Sequence, residues 1–271
     1  MKPATAGTLD DLVTDVLAGR MGDDPARHRI SVGFVTRQGA HHATRGRGYR
    51  NHVISLRLGA AVGSCAVEPD EIPDDAVYEC VGRDVATLLA HPLPAVRVAA
   101  LDAYLMHEHP HDPAAAVTVP AGSSLDKSLA RATAVVDLLP AGPGRRVLVI
   151  GVVNSLLHRL RERGARYVPC DLKGGETEWG EPHVTDAVAA LDDCDAVLAS
   201  GMTLGNGTFD PLLRHARETG KPLVFFAQTG SAVLRRFVGA GVTAVSAEPY
   251  PFFWLDGGPT VIYRYRGENT R

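Results

Sequence analysis

Residues 146–157 read RVLVIGVVNSLL. Val147, Leu148, Val149 and Ile150 form the steepest apolar segment of the chain, and Gly151 and Asn154 follow it. A short apolar run closed by a glycine is the pattern of a strand buried on both faces that turns tightly into a helix. The rhythm recurs downstream. Strands are predicted over 166–170, 196–200, 222–227 and 242–247, with helices over 155–163, 185–191, 209–219 and 232–240, and a last strand over 260–265. Such alternation implies right-handed crossovers and a mostly parallel sheet covered on both faces, which is an α/β, Rossmann-like arrangement.

The chain before residue 113 has another character. Apolar spacing predicts a helix over 8–17 with Thr8 as its N-cap. Strands follow over 30–35, 53–58 and 60–67, the first two separated by a loop dense in Gly, Arg and His. After an acidic, proline-bearing loop, helices are predicted over 82–90 and 94–107. Strands followed by helices make an α+β unit. Residues 108–119 carry two prolines and no periodicity, which reads as a linker, and Ser123 or Ser124 would cap a helix running to 139. The expected division is a smaller α+β domain over 1–112 and a Rossmann-like ligand-binding domain over 113–271.

Bulk properties narrow the function classes. A chain of 271 residues suits two small domains or one large one. The net charge of −3 offers no field that would recruit nucleic acid or an anionic membrane. Cys65, Cys80, Cys170 and Cys194 are scattered with no CxxC pair, which argues against a disulfide scaffold or a ready-made zinc site and fits a reducing cytoplasm. The N-terminus lacks a signal-type apolar segment, and no apolar run approaches the roughly 20 residues that span a bilayer. A cytoplasmic location is expected.

In an open α/β sheet, ligands bind at the carboxyl ends of the strands. Those ends carry Gly151 and Asn154, then Asp171, then SGMTLGNGT over 200–208, then Gln228, Thr229 and Ser231. In the third of these, Thr203, Asn206, Gly207 and Thr208 lie between a strand and a helix, where backbone amides and hydroxyls can converge on an anion. It matches neither GxGxxG nor GxxxxGK[ST], so neither a dinucleotide nor a P-loop is specifically signalled. Asp171 follows Gly151 by about 20 residues, the place of an acidic residue that holds a ribose diol, and this points to a nucleotide or S-adenosylmethionine. Imidazoles suit transition metals. His41, His42 and His52 flank the glycine-rich loop as candidate ligands, with Arg45, Arg47 and Arg50 beside them, and His107, His109 and His111 form HEHPH. Tyr250, Phe252, Phe253 and Trp254 read as core, as a subunit interface of a homo-oligomer, or as a stacking surface. No local motif supports nucleophilic catalysis.

The stretch 200–213, SGMTLGNGTFDPLL, together with VLVIGVVNSLLHRLRERGARYVPCDL and KPLVFFAQTGSAVLRRFVGAGVTAVSA, resembles the bacterial and archaeal family described as "putative heavy-metal chelation". The pattern is a strand, then TGxTLxNGT, then an acidic residue (here Asp210) and two leucines (Leu212 and Leu213). SLDKSLARATAVVDLL resembles the family's preceding helix, with Val136-Asp137 where alanine-asparagine is usual. The first turn, Val152-Val153-Asn154, departs from the family's aromatic, proline-bearing turn. The resemblance is good over 120–265 and weak over 1–110. It implies a Rossmann-like C-terminal domain and an N-terminal domain like that of enolase. The N-terminal domain is expected to pack over the carboxyl edge of the sheet. The cleft between them would hold a small anionic ligand or metal complex, in metal handling or in making a metal-chelating metabolite. The alternative is an enzyme using S-adenosylmethionine or a nucleotide.

Overall fold

Two sheets organise the chain in the computed structural model, which describes residues 7–41, 48–69, 71–73, 75–140 and 142–267. Helix α1 (Leu9–Leu17) opens as expected, with Thr8 Oγ1 accepting from the Asp11 amide at 3.1 Å. Strands β1 (Val32–His41), β2 (Gly48–Leu58) and β3 (Ala61–Val67) form an antiparallel meander. Most of the expected Gly/Arg/His loop is in fact strand: the β1–β2 register runs from Val32 opposite Arg57 to His41 opposite Gly48. The outer arm of this hairpin stands clear of the core, so its side chains are polar and its strand character is hidden.

Helices α2 (Ala76–Cys80), α3 (Val85–Leu89) and α4 (Pro94–Glu108) follow. The helix expected over 82–90 begins only at Val85, because Asp84 caps it by accepting from the Thr87 amide at 2.9 Å. Helix α4 lies directly on β3. A Cβ at Gly63 would collide with the backbone of Ala99 and Ala103, so only glycine permits this approach. Three antiparallel strands backed by helices give the α+β unit expected for this part of the chain.

The supposed linker contains a strand. β4 (Ala116–Val119) pairs antiparallel with β10 (Thr260–Arg266) at the edge of a seven-stranded sheet. Between them run α5 (Ser124–Val136), β5 (Arg146–Ile150), α6 (Asn154–Glu162), β6 (Arg166–Cys170), β7 (Ala196–Ser200), α7 (Phe209–Thr219), β8 (Leu223–Ala227), α8 (Ser231–Leu234) and β9 (Ala244–Ala247). A capping box starts α5, with the Ser123 hydroxyl and the Asp126 carboxylate each accepting from the other residue's amide. No helix forms over 185–191, where Asp186 Oδ1 instead caps a turn by accepting from the Ala189 amide at 3.0 Å.

The sheet order is β4-β10-β9-β8-β7-β5-β6. Counted from β5, the five parallel strands stand in the order 2-1-3-4-5, the doubly wound pattern whose switch point lies between the first and third strands. Helices α5 and α6 cover one face through Val135, Leu156, Leu157 and Leu160. The other face shares a continuous core with the N-terminal layer, from Leu12, Leu56 and Val96 to Phe209, Val233 and Phe237.

Polar bonds fix that layer over the ends of the strands. Asp102 on α4 accepts from the Ser64 amide at 3.0 Å and the Ala232 amide at 2.7 Å. Thr229 Oγ1 accepts from the Ala66 amide at 2.7 Å, and the Gly230 amide donates to the Ser64 carbonyl at 3.0 Å. All of these residues are buried, where an unmade bond costs most.

Candidate functional site

The switch point opens into a cavity of about 490 Å³. Its floor is Gly151, just after β5, and Ser200 at the end of β7; its roof is Ala66 and Val67 from β3 and the following Glu68. Gly151 has φ +82°, and a Cβ there would lie 2.8 Å from the Ser200 Cβ, so the chain can leave β5 beside β7 only as glycine. A small annex of about 50 Å³ continues from Gly151, Asp171 and Ser200 to Thr203, Asn206 and Thr208.

The most unusual group in the wall is Arg131, which no motif singled out. It projects from α5 with a side chain only 4% exposed, and its Nε donates to Glu248 at 2.9 and 3.1 Å. Ser246 Oγ donates to the same carboxylate at 3.0 Å. The guanidinium carbon lies 4.9 Å from the centre of the Phe226 ring and 5.5 Å from that of Phe253. One edge of the guanidinium is thus pinned, and its terminal nitrogens make no hydrogen bond to any described residue. Nearby, the buried Gln228 Nε2 also has no partner among the described residues. Both side chains line the cavity. Lys173 and Glu68, both in the lining, close an ion pair of 2.5 Å, and Arg50, Asp171, Met202 and Trp254 line the cavity as well.

The residues singled out from the sequence divide sharply. Gly151 and Asp171 line both chambers, Thr229 the larger, and Thr203, Asn206 and Thr208 the annex. Yet the expected anion loop spends its donors on itself. Residues Gly201–Leu204 form a 3-10 turn, Thr203 Oγ1 donates to the Ser200 carbonyl at 3.0 Å, and Asn206 Oδ1 accepts from the Thr208 hydroxyl and amide at 2.7 and 3.1 Å. Thr208 makes no side-chain cap on α7, and Gly207 faces open space. Asn154 and Ser231 are buried away from both chambers: Asn154 Oδ1 accepts from the Glu178 amide, and the Ser231 hydroxyl lies 3.4 Å from His111 Nε2. Thr229, as above, spends its hydroxyl oxygen on the Ala66 amide, so its part is to hold the roof.

Two of the three metal ligands expected on the hairpin stand apart. His52 stands opposite Arg37 and His41 opposite Gly48, four residue steps apart, or about 13 Å along a strand. That is too far to share one ion. His42, Arg45 and Arg47 fall outside the described residues. Arg50 does reach the cavity, with Asn51. HEHPH also comes apart. His107 lies in the last turn of α4, His109 bonds to the Met21 carbonyl at 2.8 Å, and His111 is buried, stacked 4.5 Å from Tyr263. Burial, with Arg235 beside it, pushes the His111 imidazole down to about 3, so it is neutral. Within the aromatic tail, Phe252 and Phe253 are core, and Trp254 lines the cavity and donates to Gln38 Oε1. Burial pushes the Cys170 thiol, beside the site, up to about 11, where it is no nucleophile at neutral pH.

Residues 134–247 match the model of the family described as "Putative heavy-metal chelation". This is the family to which the 200–213 stretch pointed. A protein with unknown function from Desulfitobacterium hafniense, placed in the same family (DUF364), superposes with a TM-score of 0.58 at 14% identity, covering 94% of this chain and 100% of that one. Another, from Pyrococcus horikoshii, gives 0.51 at 16% identity, covering 87% and 86%. At these identities the likeness shows a shared fold. No curated protein matches the chain. Among the described residues, no helix is long and apolar enough to cross a membrane.

Proposed function

We propose that the cleft binds a small anionic ligand or an anionic metal complex, in the handling of a transition metal or in making a metal-chelating metabolite. The observation that carries this reading is that one cavity is lined by both Arg131 and Gln228, whose Nε2 has no partner among the described residues. A guanidinium held by one edge and packed against two rings is preorganised to present its remaining N–H groups to carboxylate or phosphate oxygens. Asp171 in the same cavity suits the cationic part of such a ligand, a bound metal included. Met202, Phe226 and Trp254 supply an apolar face. The family's description points the same way.

A second reading, a nucleoside such as S-adenosylmethionine, rests on Asp171 at the end of the second parallel strand, beside the switch point. One experiment weighs both. Tag-free protein is melted with citrate, ferric citrate, S-adenosylmethionine or ATP. Stabilisation by the citrates that is lost in Gln228→Leu supports the first reading. Stabilisation by an adenosine ligand that is lost in Asp171→Ala supports the second. No shift with any of them contradicts both.

A further inference from the structure

Away from the cleft, His28, His107 and Glu108 bring one donor atom each to within 4.8 Å of one another. None of the three lines the cleft. His28 follows the short turn Pro25–Arg27, and His107 and Glu108 form the last residues of α4. The arrangement is braced. The Asp23 amide donates to Glu108 Oε2 at 3.0 Å, leaving Oε1 turned toward His28 Nε2 at 3.5 Å. The His28 ring packs edge-on against Tyr104 and His107, at 5.7 and 5.2 Å between centroids. Its backbone is tied to the next element, since the His28 carbonyl accepts from the Val85 amide at 2.9 Å.

The second observation is the state of His28 Nε2. It is buried and makes no hydrogen bond to any described residue, although it points at a carboxylate. A buried polar nitrogen without a partner is costly, and native structures seldom leave one. Two imidazoles and a carboxylate are the donor set with which proteins bind zinc while keeping a further position open. Tetrahedral zinc with bonds of about 2.0–2.1 Å sets neighbouring donors about 3.4 Å apart. The 3.5 Å between His28 Nε2 and Glu108 Oε1 already meets that spacing. His107 is exposed, so the remaining coordination position would face solvent.

We infer that His28, His107 and Glu108 form a divalent transition-metal site, selective for zinc-like ions, that clips the N-terminal segment to the end of α4. It is independent of the cleft, so its success or failure leaves the proposed function untouched. Tag-free protein stripped with a chelator should take up one zinc ion per chain in competition with a chromophoric chelator. His107→Ala removes an exposed ligand without disturbing the core. Glu108→Gln keeps an oxygen for the Asp23 amide. Each should weaken zinc at least about tenfold, since loss of even an outer-shell partner costs that much. Asp171→Asn should leave zinc binding unchanged, and circular dichroism of each variant checks its folding. The inference is overturned if wild-type protein binds no zinc, if folded His107→Ala and Glu108→Gln bind it as wild type does, or if Asp171→Asn abolishes it.

Discussion

Removing the carboxylate that holds Arg131 should cost the fold more than almost any other single polar change. In Glu248→Ala, the guanidinium loses both Nε contacts, at 2.9 and 3.1 Å, in a place where the two side chains are 4% and 1% exposed. The Ser246 hydroxyl loses its acceptor as well. Breaking a buried pair from one side leaves an uncompensated charge and costs about 3–5 kcal/mol. For a chain of this size that is a fall in Tm on the order of 10 °C. Arg131→Met should cost a similar amount, because it strands Glu248. The double variant Arg131→Met/Glu248→Leu should recover most of the loss, since neither apolar side chain needs a partner. Denaturant and thermal unfolding followed by circular dichroism would measure all three. If each single variant loses less than about 1 kcal/mol, the pair behaves as a solvated surface bridge and the account of a preorganised, desolvated Arg131 is wrong.

Other outcomes follow from the same contacts. Burial lifts the Asp102 carboxyl from its ordinary 3.8 to about 7, against the lowering effect of amides from Ser64, Ala232 and Val233 and of Arg235. The folded protein therefore keeps a proton that the unfolded chain releases. The stability this contributes is full below about pH 4 and is lost as pH rises through 7, on the order of 4 kcal/mol in all. Urea unfolding at pH 4.5 and 7.5 should show the decline, and Asp102→Asn should flatten it; an equal slope in both proteins would refute the assignment. Gly151→Ala must adopt φ +82° and press on Ser200, so it should lose about 1–3 kcal/mol and all cleft binding. Wild-type stability in that variant would show that the turn after β5 is not as tight as described. Ser123→Ala should cost about 1 kcal/mol through loss of the α5 capping box, read from the denaturation midpoint.

The parallel sheet was readable because its strands are buried on both faces: RVLVI and LVFFA allow little else. The outer β1–β2 arm was not, since strands that project from the core keep polar side chains on both faces. β4 was missed because four residues, AVTV, carry too little pattern to outweigh the prolines before them. The cleft's position followed from strand ends, and Gly151 and Asp171 from their place at those ends. Arg131 stands among alanines in no recognisable motif. A usable signal was present: Lys127, Ser128 and Arg131 lie on one face of α5, and all three are buried. Lys127 Nζ is spent on the carbonyls of Asp256 and Gly258 and on the Thr260 hydroxyl, which leaves Arg131 to serve the cavity. The SGMTLGNGT loop reaches the annex as its place after β7 suggested, but sequence does not show that its side-chain oxygens bond within their own turn. His28 could not have been joined to His107 and Glu108 from sequence, because only the packing of the N-terminal segment on α4 brings them together.

Ligand entry at the β5–β7 switch point, with Arg131 as the grip, is the proposal on which the rest depends. A crystal structure of tag-free protein with the compound that stabilises it most tests this directly. The account predicts density for the compound between Arg131 and Gln228, with its anionic atoms within hydrogen-bonding distance of both and its remainder toward Asp171 and Trp254. Ordered ligand on the β1–β2 hairpin, or in the cavity but turned away from Arg131, would contradict it.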